Sequence, residues 1–134
     1  MATATVKWIG GEQFIGIDST AHSVVLSTPE EGVGIRPSEM LLVALASCTA
    51  VSVVRILEKK RMPLTRLEIH TTGQQDEDPP WTYRKIHMHF LISGEGLTGE
   101  AVERAIWLAE EKYCSVAATI RATTEITTDF EILP

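Results

Sequence analysis

Cys48 and Cys114 are the only cysteines of the 134-residue chain, and they are the side chains best suited to do chemistry. Cys48 lies in LLVALASCTAVSVV, residues 41–54, the most apolar run of the sequence. A thiol in such a run is either a small hydrophobe filling a core or a nucleophile sheltered from water. Nucleophilic work needs the thiolate, and an unperturbed thiol with a pKa of about 8.5 is mostly protonated at neutral pH. Burial raises that value, so a positive charge or hydrogen-bond donors must stand close to the sulfur. Arg36 and Arg55 are the cations available, and Arg55 falls about 20° from Cys48 around a helix axis. A permanent Cys48–Cys114 bridge would add about 4 kcal/mol by the chain-entropy estimate, but a domain of this size does not need it. If the pair meets, a redox cycle is the better reason.

Other candidates are weaker. His70, His87 and His89 fall on the outward positions of two alternating segments, where imidazoles can bind zinc or copper. With no fourth ligand and charged neighbours all round, a wet sheet surface is the better reading, and no metal is expected. Gly94-Glu95-Gly96 reads as a turn, since the fingerprint glycines of a phosphate cradle are missing. No cofactor is expected.

The elements that must position the thiols follow from periodicity. Residues 4–9 and 12–18 are short strands around Gly10-Gly11, a hairpin signal of the two-residue kind, and Ser23–Leu26 is a third strand. A helix begins at Arg36-Pro37-Ser38-Glu39, where proline suits the first turn and Glu39 the positive end of the dipole. It runs to about Lys60 and is stopped by Met62-Pro63. Apolar residues cover all its directions, which marks a helix enclosed by protein, and a partner subunit is expected on its far side. Leu64–Gln75 and Tyr83–Ser93 alternate as half-buried strands with Ile86, Met88, Phe90 and Ile92 inward. Thr98 caps a second, amphipathic helix that runs to about Tyr113, and Arg121–Glu131 is a last strand. The order predicts an α+β fold with antiparallel pairing in one domain, residues 1–134.

The segments RPSEMLLVALASCTAVSVV (36–54) and AEEKYCSVAATI (109–120) together resemble the OsmC/Ohr family. The family pattern is a proline with a glutamate-containing turn, an apolar helix carrying a cysteine, and a second cysteine just before a short helical segment. The resemblance covers nearly the whole chain and implies an OsmC-like fold, antiparallel sheets around a buried central helix, in an intertwined homodimer with the sites at the subunit interface. It implies cysteine-dependent reduction of hydroperoxides, organic ones above all. Cys48 is then the peroxidatic thiol, Cys114 the resolving one, Glu39 and Arg36 orient the pair, and an external dithiol restores the enzyme. Here Ser38 follows the proline where peroxidase branches carry an acid, and residues 1–35 hold no arginine. The chain is therefore more similar to the less characterised branch. The alternative that the resemblance leaves open is a non-catalytic OsmC-like protein that binds a small apolar or thiol-reactive ligand or senses oxidants stoichiometrically.

Composition narrows the function classes. Hydrophobic residues at 44% and charged residues at 22% suit a globular domain. A formal charge of −6 argues against a nucleic-acid partner. The N-terminus lacks the pattern of a secretory signal, and the 41–54 run is short for a bilayer span, so a cytoplasmic protein with no membrane partner is expected.

Overall fold

The computed structural model describes every residue from Met1 to Pro134, and the chain falls into two compact units, Met1–Leu41 and Leu42–Pro134. The first unit is an antiparallel meander of β1 (Ala4–Trp8), β2 (Gln13–Asp18) and β3 (Ser23–Ser27). The β1–β2 turn is wider than the two-residue form the sequence predicts. Trp8 pairs with Phe14, and Gln13 N–H closes onto Gly10 O. Gly10 (φ 110°) and Gly11 (φ 53°) supply the positive φ that a side chain resists. The Asp18 carboxylate shapes the next turn by accepting from the N–H groups of Thr20 and His22. Glu31 ties the loop after β3 to the first hairpin, accepting from Glu12 N–H and Gln13 Nε2.

Helix α1 spans Pro37–Lys59, close to the predicted range. It ends where Arg61 turns to φ 60° and Met62 N–H returns to Leu57 O, with Pro63 barring continuation. Within the single chain only one side of it is covered, the side left open being the one for which a partner subunit is expected. Only Leu45, Thr49, Val53 and Leu57, one residue per turn, are fully covered by the chain. On the opposite face Val43 and Val51 keep 47% and 49% of their surface exposed. By length and composition α1 could cross a membrane, because the helix extends beyond the apolar run visible in the sequence. Its inner stripe instead joins the core of the second unit.

That core is built on β4 (Arg66–Gln75) and β5 (Tyr83–Ser93), which pair antiparallel with Leu67 opposite Ile92 and Ile69 opposite Phe90. Ile86, Met88, Phe90 and Ile92 are fully buried on one face, as the alternation predicts. Strand β6 (Glu125–Ile132) departs from the expectation of antiparallel pairing: it runs parallel to β5, with Phe90 beside Phe130. The helical crossover between them returns the chain to the starting end of β5, and a strand reached that way lies parallel. The crossover is made of α2 (Gly99–Leu108), a π-helical turn (Ala109–Tyr113) and α3 (Ser115–Ile120). Thr98 caps α2 by accepting from Ala101 N–H at 3.2 Å. Val102, Ala105, Ile106 and Ala109 complete the core with Leu45, Val53 and Leu57 of α1.

Candidate functional site

Cys48 lies on the flank of α1, between its buried stripe and its exposed face, and is half-buried. Leu45, Thr49, Val53 and Leu57 anchor that helix in the core, so the cysteine at position 48 is held beside the protein wall. Cys114 is fully buried and both thiols are free.

The π-helical turn places the second cysteine. The N–H of Cys114 bonds to Ala109 O, five residues back, at 2.8 Å, where an α-helix would use the fourth. That wide turn ends the amphipathic run and puts Cys114 in extended backbone (φ −89°, ψ 106°) as the cap of α3. Its Sγ accepts from Ala117 N–H at 3.3 Å and lies 3.6 Å from the Thr49 hydroxyl. The same hydroxyl is 3.0 Å from Leu45 O, so its single proton serves one acceptor at a time.

The two thiols act on each other's ionisation. Burial alone would raise the pKa of Cys48, but hydrogen bonds from the Cys114 thiol, from the Val116 N–H and from the hydroxyl and N–H of Ser115 outweigh it and hold the value below that of an ordinary thiol. Cys114 moves the opposite way. Burial raises its pKa, and donation to the Cys48 sulfur raises it further, against the lowering effect of Ala117 N–H and Thr49. The arrangement therefore favours an anion on Cys48 and a proton on Cys114. That is the division of labour a nucleophile and its neighbouring acid require.

The stabilising donors differ from the guanidinium sought in the sequence. Arg36 Nε pairs with Glu39 Oε2 at 3.5 Å in the first turn of α1, with both side chains about half exposed. The structure thus pairs Arg36 with Glu39, and no guanidinium contributes to the lowered pKa of Cys48. Arg55 is exposed and lines a recess with Ser52, Ile56, Lys59 and Tyr113. Sequence reasoning missed Ser115, Val116 and Ala117. Their signal was the placement of a cysteine just ahead of a short helix, whose first N–H groups have no partners within it.

The three imidazoles on the outer sheet face do not converge. His87 Nε2 and His89 Nδ1 both meet Asp129 Oδ1, at 2.8 and 2.7 Å, whereas His70 Nε2 meets Glu68. These histidine bonds hold the Asp129 carboxyl below its ordinary range.

Comparison with known proteins gives this arrangement a family. The family described as OsmC-like protein matches residues 29–129, a span holding both cysteines. Protein YhfA of Escherichia coli K12 is 35% identical over 130 residues, covering 97% of each chain. The crystal structure of an OsmC-like protein from Mycoplasma pneumoniae superposes with a TM-score of 0.86 at 17% identity, over 100% of this chain and 98% of that one. The organic hydroperoxide resistance protein OhrB of Bacillus subtilis shares the fold with a TM-score of 0.66 at 14% identity, over 98% of both chains. Matched along almost its whole length by YhfA and carrying both cysteines within the family's own span, the chain belongs to the OsmC-like protein family.

Proposed function

We propose that the protein is a thiol-dependent hydroperoxide reductase in which Cys48 is the nucleophile and Cys114 the resolving thiol. The observation that carries this reading is the opposed proton affinity of the two thiols, lowered on Cys48 and raised on Cys114, each acting on the other. The organic hydroperoxide resistance named for OhrB, a protein of the same fold, supports the choice of oxidant.

The Cys48 thiolate attacks the terminal oxygen of ROOH, the O–O bond breaks, and Cys48 becomes a sulfenic acid. The departing alkoxide takes the Cys114 proton and leaves as ROH. The Cys114 thiolate then attacks the Cys48 sulfur, forming a disulfide and expelling hydroxide, which a solvent proton converts to water. An external dithiol reduces the disulfide and is itself oxidised. Donors from Ser115 and Val116 supply the charge stabilisation, with Arg36 and Glu39 expected to orient groups at the start of α1. Two free cysteines in such a cycle suit a reducing compartment such as the cytoplasm. The exposed apolar face of α1 at Val43 and Val51 suits coverage by a second copy of the chain in a homodimer.

One equivalent of cumene hydroperoxide should remove both thiols from the reduced protein within the mixing time of a manual assay. The same treatment of Cys48→Ser should leave Cys114 titratable. Unchanged thiols in the unmodified protein would overturn the reductase and leave a ligand-binding OsmC-like protein.

A further inference from the structure

The π-helical turn leaves one backbone acceptor to be satisfied by a side chain. In an α-helix Glu110 O would take the N–H of Cys114, and in a continued π-helix that of Ser115. Here Cys114 N–H goes to Ala109 O at 2.8 Å, and the extended backbone of Cys114 (ψ 106°) carries the chain out of the turn before Ser115. Arg121 supplies the donor that the turn withholds: its Nη2 donates to Glu110 O at 2.7 Å. The Arg121 N–H bonds to Ala117 O at 2.9 Å at the end of α3, and Nη1 lies 3.7 Å from Glu111 Oε2. One side chain thus ties the far end of α3 back to the turn that precedes it, with Cys114, Ser115 and Val116 in the loop so closed.

An α3 of 6 residues is too short to hold itself by its own bonds, so its first turn has to be fixed from outside. That turn carries Ser115 and Val116, whose N–H groups favour an anion on Cys48. An α-helical register through 110–114 would satisfy Glu110 O without Arg121, by turning Cys114 N–H onto it and drawing the following residues round with it. A half-buried carbonyl without a donor is costly, so that register gains whenever the guanidinium is absent. With the guanidinium on Glu110 O the wider turn carries no such penalty.

We propose that Arg121 is a positioning residue for Cys48: by holding the Glu110 carbonyl it keeps the turn at Ala109–Tyr113 wide, and so keeps Ser115 and Val116 where they act on the Cys48 sulfur. The effect on hydroperoxide turnover rests on the reductase reading above, whereas the effect on the thiol itself does not.

The test follows alkylation of Cys48 by iodoacetamide across pH in the reduced full-length protein, read by peptide mass spectrometry. Arg121→Met keeps the apolar stem and removes every donor. It should move the midpoint of the Cys48 profile to higher pH and slow labelling near neutrality roughly threefold to tenfold, as loss of a donor to an anion allows, with the plateau at high pH kept. The shift should persist in high salt, which would erase a long-range effect of the lost charge. Glu111→Gln breaks the ion pair, leaves the carbonyl bond and should behave as the unmodified protein. Arg121→Gln, whose shorter amide stops before Glu110 O, should repeat the shift and decides the case if Arg121→Met does not fold. An unmoved midpoint in the Arg121 variants, a fall in the plateau alone, a shift that salt abolishes, or an equal shift in Glu111→Gln overturns the proposal. Cumene hydroperoxide separates this role from the reductase. A shifted alkylation profile in a protein that never consumes the peroxide sinks the reductase and keeps Arg121 in its role; turnover by the unmodified protein, with the midpoint unmoved in the Arg121 variants, does the reverse.

Discussion

Cys48 sits half-buried on the flank of a 23-residue helix and has its pKa lowered, whereas Cys114 is buried at the start of a 6-residue helix and has its pKa raised. Both sulfurs are penalised by burial when charged, yet their proton affinities move in opposite directions. What separates them is which donors each sulfur meets. The Cys114 thiol, the Ser115 hydroxyl and the Ser115 and Val116 N–H groups favour an anion on Cys48, while Cys114 accepts from Ala117 N–H and shares the Thr49 proton. A nucleophile can thus be built in an apolar helix without a cation in contact, provided another segment brings its N–H groups to the sulfur.

The largest effect expected is loss of the first oxidation. Cys48→Ser should slow peroxide consumption by more than about a hundredfold, since the attacking atom is gone. Cys114→Ser should still allow one oxidation, leaving a Cys48 sulfenic acid that dimedone traps and mass spectrometry detects. If instead Cys114 alone reacts with peroxide, the comparison of the two sulfurs is inverted.

Next comes the platform that carries Cys48. Leu45→Ala, on the fully buried stripe of α1, should cost about 2–5 kcal/mol in urea unfolding. Val51→Ala, on the exposed face, should cost much less in the isolated chain and matter chiefly if a second copy covers that face.

The pH dependence of alkylation sharpens the contrast further. Because its pKa is lowered, Cys48 should reach its plateau rate with iodoacetamide at a lower pH than a free thiol does. Cys114, whose pKa is raised, should gain reactivity only above that range. Ser115→Ala removes one donor and should shift the Cys48 profile upward in pH with a few-fold loss of rate near neutrality.

The smallest effect should come from Thr49→Val. Loss of the buried hydroxyl costs about 1 kcal/mol of stability and removes one stabiliser of a Cys114 anion. Slower disulfide formation with unchanged first oxidation, seen by quenched-flow thiol counting, would place Thr49 with the resolving thiol alone.

Much of this organisation was legible in the chain. Pro37 and Glu39 marked the start of α1 and Met62-Pro63 its end, because the fixed φ of proline and the dipole act locally. The inward set Ile86, Met88, Phe90 and Ile92 followed from strict alternation. The π-helical turn at Ala109–Tyr113 was not legible, since AEEKY fits an α-helix equally well by propensity. Nor was the parallel β6 recognised, although a helical crossover between β5 and β6 was its sign.

By itself the sequence determined which segments are helix and strand and that two cysteines stand in contexts shared with one family, since both are matters of local pattern. Only the tertiary structure decided that the start of α3 lowers the pKa of Cys48 while that of its neighbour rises. Proton affinity depends on every dipole within a few ångströms of the sulfur, and those dipoles come from residues far along the chain.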